Sequence, residues 1–180
     1  MAEPIHELHE HAEKARGNSG LVGATFTMSV VAVLVAAVSV AGHRAHTGAI
    51  LDQTRAGDLW AEYQAHSIRR HNYELFMDLL SLAQVRDPGQ AAKAKERYGR
   101  EAERYARENE DLSAQARGFE DEAAQHERQA ARFDLGEVCL EAALVITSIT
   151  LITRKRLFWG MGSALALAGI AVAASGAWVH

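Results

Sequence analysis

The sequence predicts an all-α membrane protein: three transmembrane helices, with a long antiparallel coiled-coil hairpin between the first and second. Three observations predict it. Apolar residues gather into three blocks, 20–42, 136–153 and 157–179, instead of spreading along the 180 residues. The polar stretch 43–135 between the first two blocks carries seven-residue spacing on both sides of its midpoint. At that midpoint Asp87-Pro88-Gly89 divides the stretch into arms of matched length, as an antiparallel pair requires.

Residues 1–19 form a polar tail in which Ile5, Leu8, Ala12 and Ala15 mark a faint helical stripe and Pro4 suits a first helical turn. His6 and His9 share a face with Glu10 or Glu13, a weak candidate for a divalent cation. The spacing is not the H-E-x-x-H of a zinc protease, and a solvated polar helix explains it more simply. The apolar run that follows is too long for a signal peptide and has no small-residue cleavage pattern.

Leu21 to Ala41 is uncharged and long enough to cross about 30 Å of hydrocarbon. In the first arm of the hairpin, Leu51, Thr54, Asp58, Ala61, Ala65, Ile68, Asn72, Leu75, Leu79 and Leu82 alternate in steps of three and four. In the second arm a seven-residue step links Ala91, Tyr98, Tyr105, Leu112, Phe119, His126 and Phe133. A parallel row of Ala102, Asn109, Ala116, Ala123 and Ala130 leaves room for a neighbouring backbone. Pro88 lacks an N–H and Gly89 tolerates left-handed angles, so the dipeptide predicts a sharp reversal at 87–89. Trp60, Tyr63, Tyr73 and Phe76 lie off the first-arm seam. Two readings stand for them: a second contact surface, or packing along the flank of the partner helix.

The second and third apolar blocks flank Arg154-Lys155-Arg156, a short basic turn that the positive-inside rule assigns to the cytoplasm. The N-terminus is then cytoplasmic, and the hairpin and C-terminus lie on the periplasmic side of a bacterial inner membrane. Arg44, Arg55, Arg128 and Arg132 near the hairpin's feet point the other way, but long loops weigh less in this rule. Trp159 and Trp178 stand near the two ends of the third block, suited to the two headgroup layers. Within it Gly162, Ala166, Gly169, Ala173 and Gly176 make a stripe of small residues where the first span or a neighbouring protein can approach closely.

Glu137 and Glu141 stand one turn apart at the start of the second span. A carboxylate there needs a partner, and His43, Arg44 and His46 at the end of the first span are in reach if the hairpin closes. An ion-pair staple of His43, Arg44, Glu137 and Glu141 is the favoured reading. The other is a cation, proton or metal site of Glu137, Glu141 and His43, with Cys139 nearby.

A net charge of −4 and the absence of a basic patch interleaved with aromatics exclude a nucleic-acid binder. The sequence has no glycine-rich phosphate loop, C-x-x-C pair or nucleophile elbow, and none of its nine histidines falls in mid-span. No enzyme, catalytic residue or cofactor is predicted.

The run Trp60-Ala61-Glu62-Tyr63-Gln64-Ala65-His66-Ser67-Ile68-Arg69 follows a Glu/His-rich tail and a first span ending near Gly42-His43-Arg44. It resembles a bacterial membrane-protein family, the domain of unknown function four-three-three-seven. Trp60, Tyr63, Gln64, Ser67 and Arg69 match its W-x-x-Y-Q-A-x-S-I-R mark. The resemblance implies three spans with a helical insert and supplies no catalytic residue. The function predicted is a structural or accessory subunit, a homo-oligomer or part of a larger membrane complex, whose partners include the lipid bilayer. The alternative is a small cation, proton or metal conduit using Glu137 and Glu141.

Overall fold

The computed structural model describes residues 19–84 and 86–178, and every regular element among them is a helix. α1 is Ser19–Leu82, α2 is Pro88–Thr153 and α3 is Arg156–Gly176. Each is long and apolar enough to cross a membrane. The two weak metal candidates in the tail, His6 and His9, lie outside the described residues.

α1 continues from its apolar block into its polar arm because nothing in the sequence stops it. Gly42, Gly48 and Gly57 are isolated, and a single helical glycine costs only about 1 kcal/mol against alanine.

The break before α2 corrects one expectation. Pro88-Gly89 does not form the reversal but the first turn of α2, and no described glycine has a positive φ. Asp87 acts as the cap: its Oδ1 accepts the N–H of Gly89 at 2.9 Å and of Gln90 at 3.1 Å. Proline at the next position gives up an N–H that had no helical partner in any case. The break in helix therefore falls after Leu82 and ahead of Pro88, earlier than the proline suggests.

The chain divides into two compact units. Gly48–Ala124 contains the polar arms of α1 and α2. The rows read from the second arm form its buried face: Ala102, Tyr105, Asn109, Ala116 and Ala123 are all buried. The first-arm seam is different. Leu51, Ile68, Leu75, Leu79 and Leu82 are exposed, as are Thr54, Asp58, Ala61, Ala65 and Asn72 between them. The face that packs lies one residue round the helix, with Asp52 and Ala56 buried and Tyr63, His66, Tyr73 and Met77 partly so.

Aromatic contacts account for the difference. Tyr73 stacks on Tyr98 and Tyr105 with centroids at 5.6 and 6.1 Å, and His66 meets Tyr105 edge-on at 4.9 Å. Rings bury more area per residue than leucine and add favourable geometry. Arg55 over Phe119 and Arg69 over Tyr105 extend the same face with cation–π contacts. Turning α1 to use these rings leaves its leucines outside.

The other unit joins the described residues up to Thr47 with those from Gln125 onward. Its core is Val31 of α1, Leu140 and Ala143 of α2 and Ala166 of α3, with Leu34, Val35, Val38, Leu144 and Leu165 packed against it. At one end the indole N–H of Trp159 donates to Thr27 Oγ1 at 3.1 Å, tying α3 to α1. The α2–α3 turn is tight, and Arg154 takes a left-handed conformation there, φ 54°.

Candidate interaction surfaces

The small-residue stripe of α3 is buried along its whole length. Its neighbour is α2. A Cβ placed on Gly169 would meet Cys139 Cβ at 3.0 Å, Gly136 O at 3.0 Å and Leu140 Cγ at 3.1 Å. One placed on Gly162 would collide with Thr147 Oγ1 and lie 3.1 Å from Ala143 O. On Gly176 it would meet Arg132 Cβ at 3.0 Å. The stripe therefore seats the chain's own second span, where the sequence pointed to the first span or to another protein. The reason is local: α2 has its own small residues, Gly136, Cys139 and Ala143, at matching spacing, and the short 154–156 turn delivers α3 straight back onto them.

The same contacts place Glu141 between the levels of Gly162 and Gly169, near the middle of α3. It is exposed on the outer side of α2, while Glu137 is half-buried. Among the described residues no ion pair joins either carboxylate to His43 or Arg44, so the predicted four-residue staple does not form. The link lies one turn earlier on α2, where His46 Nε2 and Asp134 Oδ2 are 3.0 Å apart. Gly42 sits against Phe133 and Asp134, so α1 meets α2 closely there and His46 comes opposite Asp134. Cys139 turns towards α3. Among the described residues no three His, Cys, Asp or Glu side chains converge on a metal position. Sequence reasoning placed His46 among the groups in reach of this boundary but passed over Asp134, whose signal was position alone, just outside an apolar block.

The off-seam aromatics take the flank-packing role in part. Trp60 donates its indole N–H to Glu120 Oε1 at 2.8 Å and meets Tyr63 edge-on at 5.4 Å. Phe76 leans on Tyr98 at 5.9 Å, although about half of it remains exposed. The leucine row stays half exposed or more. Leu75 and Leu79 are each 54% exposed, and Ile68 56%.

A protein-family model described as a domain of unknown function, DUF4337, matches residues 22–179. No curated protein matches the chain, and no solved structure does.

Proposed function

The chain belongs to the DUF4337 family over residues 22–179, a family whose description names no activity, and from its own surfaces we propose that it is an assembly protein of the bacterial inner membrane. All three helices span the bilayer, and the polar arms of α1 and α2 pair as an antiparallel coiled-coil hairpin. Contacts within Gly48–Ala124 support the pairing. Trp60 reaches Glu120, Ser67 bonds Asn109 and Ser81 bonds Lys95, so partner numbers fall as α1 is followed forward.

One observation carries the assembly reading. The heptad row of α1 from Leu51 to Leu82 faces outward, and such a row gains its burial energy only against another helix. The row suits a second copy of this chain, since seven of its ten positions are apolar and Asp58 and Asn72 on it serve as register residues. Glu141 adds support from the spanning segment. Facing hydrocarbon as a charge it would cost about 2.5–3.5 kcal/mol, a penalty that a hydrogen-bonding neighbour removes. Its outward position takes away the shared site with His43 on which a conduit reading depended. The Arg154-Lys155-Arg156 turn favours a cytoplasmic N-terminus and a periplasmic hairpin.

Replacing Leu75 and Leu79 together by Glu tests the proposal. Full burial of a leucine contributes about 1.5–3 kcal/mol, so losing two at an interface raises the dissociation constant by roughly a hundredfold or more. Native mass spectrometry of the full-length protein in mild detergent is expected to show an oligomer for the wild type and mainly monomer for the double variant, with helicity unchanged. A wild-type protein that is monomeric and carries no co-purifying subunit rejects the reading.

A further inference from the structure

A groove between α1 and α2, with a volume of about 350 Å³, lies at the end of the bundle opposite the basic turn. Its lining includes apolar Ala37, Ala41 and Phe133 and polar Arg44, His126 and Gln129. Its place along the bundle is fixed by α3: a Cβ on Gly176 would lie 3.4 Å from Gln129 O and 3.5 Å from Phe133 Cε1. Exposed Trp178 follows directly after. Tryptophan at the end of a span marks the headgroup layer, so the polar lining is at headgroup depth. Ala37 lies seven residues from Arg44 along α1, about 10 Å deeper, within the roughly 15 Å of one leaflet's hydrocarbon.

The charge of the groove is positive. Arg44 is exposed, and among the described residues no carboxylate engages it; Arg132, beside Gln129 on α2, is likewise exposed and unpaired. Asp134, next to Phe133, lies outside the lining and hydrogen-bonds His46. A guanidinium above an apolar trough, at the depth where phosphates lie, matches an amphiphile with an anionic head and a hydrocarbon tail. A zwitterionic headgroup brings a cation along with its phosphate and is held less strongly, and a soluble anion leaves the trough unfilled.

We infer that this groove binds one anionic glycerophospholipid, with the phosphate on Arg44 and one acyl chain along Ala37, Ala41 and Phe133. The inference rests on the membrane-spanning reading of the helices.

Full-length protein in detergent, titrated with phosphatidylglycerol or with phosphatidylcholine of the same chains and followed by native mass spectrometry, tests it. Phosphatidylglycerol is expected to bind about fivefold more tightly, because both phosphates can accept from Arg44 but the choline cation of phosphatidylcholine opposes the guanidinium. Arg44→Gln is expected to abolish that preference and Arg44→Lys to restore part of it. Ala41→Phe, which fills the trough, is expected to weaken both lipids, and Arg128→Gln, on a residue outside the lining, to change neither. Equal retention of the two lipids, or a preference that survives Arg44→Gln, overturns the proposal. So does complete displacement of phosphatidylglycerol by inorganic phosphate, which would leave the apolar lining no part. If instead the protein is released from native membranes by a high-salt wash, the spanning reading fails before the groove is tested.

Discussion

Gly136→Val is expected to force α2 away from α3 and to lower the melting temperature of the detergent-purified protein by roughly 5 °C or more. Overpacking a tight contact costs about 1–3 kcal/mol, and this site belongs at the upper end of that range or beyond. A Cβ at Gly136 would stand 2.8 Å from Ala173 Cβ and 3.0 Å from both Ala173 N and Gly169 O. Two of these three atoms are backbone, so no side-chain rotation relieves the clash; the helix itself has to move. Gly160 is the control. It lies on α3 with nothing within 4 Å of a Cβ, and Gly160→Ala is expected to leave the melting temperature unchanged or slightly raised, since alanine favours helix. If the two variants melt alike, the α2–α3 contact described above is wrong.

Tyr105→Ala is expected to cost about 3–5 kcal/mol, the usual penalty for emptying a buried aromatic position. Tyr105 is 8% exposed and stands between His66 and Tyr73, with the guanidinium of Arg69 over its ring at 5.9 Å. Its loss leaves the middle of Gly48–Ala124 without its largest buried group. Tyr105→Phe keeps the ring and is expected to be close to wild type. Leu75→Ala, on the outward row, is expected to change the unfolding free energy of the monomer by less than about 1 kcal/mol. Urea titration followed by far-ultraviolet circular dichroism would separate the three. The opposite order, with Leu75 costly and Tyr105 cheap, would return the leucine row to the inside.

That contrast shows what was legible in the chain. The α2 rows could be read because one pattern, large residues at seven-residue steps beside alanines, is both the heptad and the buried face. In α1 two patterns compete. Leucines and isoleucines repeat on one face, and Trp60, Tyr63, His66 and Tyr73 lie on the next. Periodicity identifies both faces and does not rank them; the ranking depends on whether the opposing helix offers rings, and Tyr98, Tyr105 and Phe119 do.

The α3 stripe was legible as a contact, but its occupant was not. Small residues state how closely a backbone can come, and loop length decides which one arrives. The staple failed for a geometric reason. Four residues carry Glu141 about 40° round the helix from Glu137, which leaves it exposed, while Asp134, earlier on α2, meets His46.

Arg154 has one more consequence. A left-handed residue with a β-carbon is disfavoured by about 1–2 kcal/mol relative to the ordinary helical region, and glycine would sit there freely. The chain nonetheless has arginine at that position, with lysine and arginine after it. On the membrane-spanning function proposed above, strain at this bend is tolerated in exchange for a cation that the insertion machinery reads in a short connection. A glycine bend would fold more comfortably, yet it would give the nascent chain a weaker instruction about which way to face.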